Sequence, residues 1–136
     1  ETFLILLLGN YRKGSITTLR KKKRAYPADT SFIFMYKTKM EEGFFGRVVE
    51  TLAVNKIGAT TFWKNGHEID IIADDIPIEV KYQEKIRSED FKPLLEFMRK
   101  FKKKEGIIIS KHEEGKKTFA EGRIELIPAW KWMLQN

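Results

Sequence analysis

The stretch HEIDIIADDIPIEVKYQ, residues 67–83, decides the fold of this 136-residue chain. Residues 68–73 are largely apolar, and the Asp74-Asp75 pair that follows them favours a turn. Residues 76–83 then alternate apolar and polar side chains, which is typical of a strand because successive side chains leave opposite faces of a sheet. The stretch therefore predicts two neighbouring strands joined by a tight turn.

The patterns on either side of this stretch extend the prediction to a whole domain. Residues 60–63 predict a further strand, because the Asn65-Gly66 pair supplies the positive backbone angles of a hairpin. Apolar residues recur at helical spacing over residues 40–57 and again around residues 91–101. Short apolar runs predict a buried strand at residues 3–8 and others at 106–110 and 124–127, and Pro128 opens a short last helix. The order helix, three strands, helix, strand predicts an α/β domain around a mixed sheet.

The composition is that of one soluble globular domain. The chain has 42% hydrophobic residues, enough for a core without disulfides or a structural metal. It contains no cysteine, which excludes thiol catalysis, cysteine zinc sites and disulfide frameworks. The longest apolar run falls far short of the about 20 residues that a membrane span needs, and no signal peptide is recognisable. We therefore expect a cytoplasmic protein that makes no membrane contact.

The positive charge of the chain is concentrated in one segment. Residues 11–24 contain seven basic residues and no acidic one, which accounts for the whole net charge of +7. Such a segment suits contact with a phosphate backbone, because its cations would release counterions from nucleic acid. A solvated lysine-rich loop is the alternative interpretation. The candidate nucleic-acid-binding residues in this segment are Arg20, Lys21, Lys22, Lys23 and Arg24.

One group of polar residues stands out from the background. Glu50 lies beside the apolar stripe of the first long helix, and Asp70 lies on the second strand. Glu79 and Lys81 lie on the third strand. If the register brings Asp70 and Glu79 to one face, two carboxylates and an ammonium group converge at one sheet edge. Mg²⁺ or Mn²⁺ prefers such oxygen ligands and keeps several waters, and the main-chain carbonyl of Val80 would add a further ligand.

A metal ion at this place would support phosphodiester hydrolysis. Coordination makes a bound water more nucleophilic and neutralises charge that develops on a phosphate. Lys81 would orient that water or help to deprotonate it, and Glu50 would reach the same metal directly or through water.

Ordinary structural roles fit the same residues. Glu79 and Lys81 are compatible with exposed cross-strand charges, and Asp70 with a simple ion pair to Lys81. Against this, Asp70 lies in an apolar stretch, where a carboxylate without a role would cost stability. Glu50 also suits a solvated helix edge. Glu68 is expected to face solvent or to pair with a base, and it is a reserve ligand.

The same residues resemble those of the PD-(D/E)xK nuclease superfamily. The resemblance rests on Glu50, on HEIDIIADD with Asp70, and on IPIEVKYQ with Glu79 and Lys81. Within the superfamily, the chain is similar to the uncharacterised C-terminal domain of archaeal and bacterial AAA+-type ATPases. In that domain a basic segment like KKKRAYPAD precedes one like GRVVETLAVNKI, and the likeness extends from about residue 19 to the end. Archaeal Holliday junction resolvases look similar over residues 50–110 only.

The resemblance implies a restriction-endonuclease-like core, a mixed sheet flanked by helices in the order αβββαβ. It implies catalytic and metal-binding roles for Glu50, Asp70, Glu79 and Lys81, and a contact between Gln83 and the site. It also implies an upstream ATPase domain in the same protein, which agrees with a chain that begins without methionine. Residues 1–39 are then a strand and basic linker leading in from that missing region, and residues 40–136 are the nuclease-like domain.

Several functions follow from these interpretations. The first is a divalent-metal-dependent DNA endonuclease-like domain that forms the C-terminal part of a larger ATPase. The alternatives are a non-catalytic module that binds nucleic acid or docks onto its ATPase partner, an enzyme like a Holliday junction resolvase, and a purely structural partner domain.

Overall fold

The computed structural model describes residues 4–12, 23–36, 41 and 43–135. Its strands are β1 (Ile5–Asn10), β2 (Arg24–Pro27), β3 (Thr61–Asn65), β4 (His67–Ala73), β5 (Ile76–Lys81), β6 (Glu105–Ser110), β7 (Gly115–Thr118) and β8 (Arg123–Pro128). Its helices are α1 (Ser31–Tyr36), α2 (Phe44–Ile57), α3 (Lys92–Phe101) and α4 (Ala129–Leu134), with a 3₁₀ turn at Ser88–Phe91. No helix in these ranges is long and apolar enough to cross a membrane.

In the described part of the chain, the strands form one mixed sheet of eight strands in the order β2-β1-β3-β4-β5-β6-β8-β7. Strands β3, β4 and β5 pair antiparallel in succession, and β6 runs parallel to both β5 and β8. At the other edge, β1 runs parallel to β3 and antiparallel to β2. The domain is therefore a mixed α/β fold, as the sequence predicted.

The predicted order of helix, three strands, helix and strand is present as α2, β3 to β5, α3 and β6. Gly66 closes the first hairpin with φ of 80°, a conformation that glycine adopts without a steric penalty. Asp74 and Asp75 close the second hairpin with φ of 48° and 65°, and aspartate tolerates this left-handed region better than most residues. Pro93 lies in the first turn of α3, where a missing amide donor is tolerated.

Several predicted boundaries were wrong for local reasons. Strand β5 ends at Lys81 rather than at residue 83, because the Gln83 amide donates back to the Lys81 carbonyl at 2.9 Å and turns the chain. The strand predicted as buried near the start of the chain is buried at Leu8, but Ile5 and Leu7 are exposed because only one face of β1 packs on the core. Strand β7 was missed, since its sequence GKKT carries no hydrophobic signal.

Helices cover both faces of the sheet. On one face, Val49 of α2 and Trp132 of α4 pack in a cluster that includes Ile109 of β6. On the opposite face, Leu94 of α3 packs in a cluster that includes Ile108 of the same strand. Adjacent residues of β6 thus serve opposite layers, which explains why this strand is a continuous apolar run.

The start of the chain takes part in this sheet. Strands β1 and β2 both pair within it, and Leu8 and Tyr26 lie in the same cluster as α2. The residues predicted to form a lead-in segment therefore contribute to the core where the structure describes them. Division of the chain between residues 39 and 40 stays a prediction.

The layer on the α3 face yields a stability prediction. Phe97 is fully buried, with ring-centroid distances of 4.5 Å to Phe101 and 5.5 Å to Trp63, whereas Phe45 on α2 is 49% exposed. We expect Phe97→Ala to lower the free energy of unfolding by about 3–5 kcal/mol, because it leaves a cavity. Phe45→Ala, the matched control, should lower it by less than about 1 kcal/mol. Urea denaturation measures both values, and equal losses would contradict this packing.

Candidate functional site

A β-bulge in β4 sets the direction of the central acidic residue, Asp70. Trp63 of β3 pairs with Ile69 of β4, and Thr61 pairs with Ile72. Two residue steps along β3 therefore match three steps along β4, which has one extra residue. Ile69 and Ile72 pack together on the α3 face, whereas Ile71 packs in the cluster on the α2 face. Strict alternation along the strand is therefore broken at Asp70, and such a bulge re-aims a side chain.

Asp70 contacts two groups of charged residues at once. Its Oδ1 lies 3.1 Å from Nη1 of Arg24, and its Oδ2 accepts the Val80 amide at 2.9 Å. The backbone amide of Asp70 donates to Oε2 of Glu79 at 3.3 Å. The contacts to Val80 and Glu79 span the junction of β4 and β5, just beyond the last paired residues of the two strands. Asp70 thus links a group on β2 and α2 to a group on β5.

The first group surrounds the guanidinium of Arg24, at the start of β2. Its Nη1 lies 3.1 Å from Oε1 of Glu50 and donates to the Tyr26 hydroxyl at 3.0 Å. Its Nε donates to Oε1 of Glu68 at 2.9 Å, and its Nη2 contacts the same oxygen. The Tyr26 hydroxyl in turn donates to Glu50 Oε1 at 2.5 Å. One cation is therefore shared by three carboxylates, those of Glu50, Glu68 and Asp70.

The second group is the pair of Glu79 and Lys81 on β5. Nζ of Lys81 lies 2.8 Å from Oε1 of Glu79, and Glu79 is only 5% exposed. Burial, and after it the charge of Asp70, raises the pKa of Glu79 to about 8, although Lys81 opposes this shift. Burial acts to lower the pKa of Lys81, but the charges of Glu79 and Asp70 outweigh it and raise that pKa.

The carboxylates of the site are not fully compensated by the cations present. The pKa of Glu50 is raised, first by burial and then by the negative charge of Asp70, despite the Tyr26 hydroxyl and the Arg24 guanidinium. Glu50 and Glu79 thus both favour binding a positive charge, whether a proton or a cation.

The structure brings the predicted residues together in part. Glu50 and Asp70 share one Arg24 nitrogen, and Glu79 with Lys81 reaches the Asp70 main chain. Among the described residues, no group of three or more His, Asp or Glu side chains is arranged to hold a metal ion. Val80 contributes its amide to Asp70, and the metal-binding role of its carbonyl stays a prediction.

The predicted nucleic-acid-binding residues have different locations. Arg20, Lys21 and Lys22 lie outside the described residues, and Lys23 is exposed next to β2. Arg24 lies in the acidic site instead of facing solvent. Gln83 lies beyond the end of β5, and its amide nitrogen donates to Oδ2 of Asp90 at 2.7 Å and to the Lys85 carbonyl at 2.9 Å. A role for these residues in nucleic-acid binding stays a prediction.

Sequence reasoning missed Tyr26 and the part that Arg24 takes in the site, and it treated Glu68 only as a reserve ligand. A signal for all three exists in the spacing of strand residues. Arg24 and Tyr26 are two apart, as are Glu68 and Asp70, and Glu79 and Lys81. Residues two apart on a regular strand share a face, so each pair presents two polar groups together.

Residues 45–132 match the family described as Domain of unknown function (DUF4143). The match covers more than half of the chain, so the chain belongs to this family, whose members are often found at the C-termini of AAA-type ATPases. No curated protein and no solved structure was similar enough to match the chain.

The raised pKa of Glu79 predicts a pH-dependent stability without divalent ions. Between its unfolded pKa of about 4.3 and its folded pKa of about 8, the folded state keeps a proton that the unfolded state has lost. Stability should therefore fall as pH rises through this window, by roughly 3–4 kcal/mol between pH 5 and 8. Urea denaturation at several pH values measures the slope. Glu79→Gln should remove most of it, and the exposed control Glu89→Gln should not; equal slopes in all three proteins would contradict the prediction.

Proposed function

We propose that this domain is a divalent-metal-dependent nuclease that hydrolyses phosphodiester bonds in DNA, with Mg²⁺ or Mn²⁺ as its cofactor. The observation that carries the proposal is the position of Asp70, a buried carboxylate that shares a cation with Glu50 and adjoins the Glu79 and Lys81 pair. Buried acidic groups that compete for few positive charges are characteristic of functional sites.

The arrangement of the elements supports a restriction-endonuclease-like core. A helix, α2, carries Glu50, three antiparallel strands carry Asp70 and Glu79, and a parallel strand follows after α3. The sequence pattern of Asp70 followed by Glu79, a residue and Lys81 belongs to the PD-(D/E)xK type that the chain resembles. Fold likeness alone does not assign an activity, so the proposal rests on the site.

The donor set fits a hard divalent cation. Carboxylate oxygens are the ligands that Mg²⁺ and Mn²⁺ prefer, and Glu50 and Asp70 already hold a positive nitrogen between them at 3.1 Å from each oxygen. When bound, the metal would supply an activated water and charge neutralisation at the phosphate. Glu50, Asp70 and Glu79 would hold it.

The residues of the chain itself would carry the remaining steps. Lys81, whose ammonium is held by Glu79, would orient the attacking water and pair with a phosphate oxygen. The basic residues before β2 would hold the DNA backbone by its charge. An ATPase domain of the same protein would be the second partner in the cytoplasm, in line with the family's frequent place at ATPase C-termini.

A cleavage assay tests the proposal. Purified protein is incubated with supercoiled, linear, single-stranded and four-way-junction DNA, with Mn²⁺ or with chelator. We expect metal-dependent cleavage, reduced about 100-fold or more by Lys81→Ala or Glu79→Gln and unchanged by the control Glu89→Gln. Cleavage at the same rate by all variants would reveal a contaminant and contradict the proposal. A marked preference for the four-way junction would favour the resolvase-like alternative.

A second candidate function, a non-catalytic module that binds nucleic acid or docks onto the ATPase, has one observation in its favour. Arg24 already pairs with both Glu50 and Asp70, so each of these carboxylates has a cationic partner without any metal. Calorimetry separates the two candidates. No heat of Mn²⁺ binding, together with DNA binding that weakens steeply with salt, would select the non-catalytic function. Binding of Mn²⁺ that is lost in Asp70→Asn would select the nuclease.

A further inference from the structure

We infer that Arg24 is a built-in competitor of the divalent cation, and that its guanidinium must leave the space between Glu50 and Asp70 before a metal ion enters. The inference rests on the proposed function, because the site that Arg24 would regulate is the proposed metal site. On this inference, a divalent ion from solution enters the site by replacing the Arg24 guanidinium.

The Arg24 guanidinium occupies the space between Glu50 and Asp70 and contacts an oxygen of each. Its Nη1 has three oxygen partners within 3.1 Å, one each from Glu50, Asp70 and Tyr26. Its guanidinium also lies over the Phe62 ring, 5.2 Å from the centroid. A metal ion bound by the same two carboxylate oxygens would need the space that Nη1 fills, so the two cations exclude one another.

The charge balance favours exchange. Arg24 brings one delocalised positive charge to Glu50, Glu68 and Asp70, whereas a divalent ion brings two charges in a small volume. The site is undercompensated with Arg24 in place, because its single positive charge is shared by three carboxylates. A divalent ion therefore has the stronger Coulomb attraction to Glu50 and Asp70.

The chain allows Arg24 to leave without unfolding. Arg24 is the first residue of β2, an edge strand that pairs only with β1 in the described sheet. Its side chain is long and has a second anchor outside the metal position, since Nε donates to Glu68. Rotation of the side chain about this anchor would clear the site and keep the backbone pairing of Arg24 with Leu8.

The displaced guanidinium would remain useful. Still held near Glu68, it would lie at the rim of the metal site, where the phosphate of a bound DNA would be its next partner. Arginine suits this role, because its planar fork matches carboxylates and phosphates equally well. A phosphodiester would then assist metal binding by holding Arg24 in its displaced position.

Calorimetric titration with Mn²⁺ tests the exchange on four proteins. These are the unchanged chain, Arg24→Gln, Glu68→Gln and Lys64→Gln. Arg24→Gln should bind Mn²⁺ about tenfold more tightly, because the site is then always free. Lys64→Gln is the electrostatic control, since Lys64 pairs with Glu68 at 3.0 Å and removing it deletes one nearby positive charge without emptying the site. Its affinity should change less than about twofold.

Glu68→Gln distinguishes competition from simple charge effects. It removes a negative charge, which by itself weakens Mn²⁺ binding, but it also removes the oxygen that both Nε and Nη2 contact while Arg24 blocks the site, whereas the displaced side chain would keep only the Nε contact. Tighter binding by this variant supports competition, and it also serves if Arg24→Gln fails to fold. Circular dichroism checks the fold of each variant before titration.

Nuclear magnetic resonance gives a direct view of Arg24. Its Nε–Hε signal, identified by its loss in Arg24→Gln, should shift on titration with diamagnetic Mg²⁺ in proportion to site occupancy. Three results would overturn the inference without contradicting the metal site. They are equal Mn²⁺ affinities of the unchanged chain and Arg24→Gln, a gain in affinity in Lys64→Gln equal to that in Arg24→Gln, and an Arg24 signal that stays fixed at saturating Mg²⁺. Absence of Mn²⁺ binding in all four proteins would overturn the metal site as well.

Discussion

The structure depends on keeping one carboxylate, that of Asp70, buried in a strand of isoleucines. An aspartate in such a place is tolerated only when its polar atoms have partners, because a buried charge without them is costly. Asp70 meets this requirement from two directions, with Arg24 on one oxygen and the Val80 amide on the other. The bulge in β4 makes this possible, since it breaks the alternation between Ile69 and Ile71, which lie on opposite faces of the sheet, and so re-aims Asp70. The acidic site is thus a consequence of the bulge in β4 and of the partners that Arg24 and Val80 provide.

Local sequence signals were enough to predict the centre of the fold. The Asn65-Gly66 and Asp74-Asp75 turns fixed both hairpins, and helical periodicity identified α2 and α3. The boundary at Lys81 was missed, because a backbone hydrogen bond between residues two apart leaves no trace in the apolar pattern. Strand β7 was missed for a related reason, since an edge strand of exposed polar residues needs no hydrophobic face.

The sequence predicted Glu50, Asp70, Glu79 and Lys81 as site residues, but it did not predict that Arg24 lies among them. Glu50, Asp70 and Glu79 follow from their positions on a helix edge and on two neighbouring strands, whose pairing is local. Arg24 reaches Asp70 across 46 residues of sequence, and it belongs to a basic segment whose composition indicates phosphate contact. Which of several arginines and lysines enters a site is decided by long-range packing, here by the pairing of β2 with β1. Membership of the DUF4143 family adds no chemistry, since the family is described only as a domain of unknown function.

The two interpretations of the site differ in what finally occupies the space between Glu50 and Asp70. A permanent guanidinium makes the cluster a structural ion-pair network, whereas an exchangeable one makes it a gated metal centre. A crystal soaked in Mn²⁺, with data collected at the manganese absorption edge, tests this most directly. The account predicts an anomalous peak about 2.1 Å from oxygens of Glu50 and Asp70, with the Arg24 guanidinium moved aside. No peak there at saturating Mn²⁺, with Arg24 still bonded to both carboxylates, would contradict it.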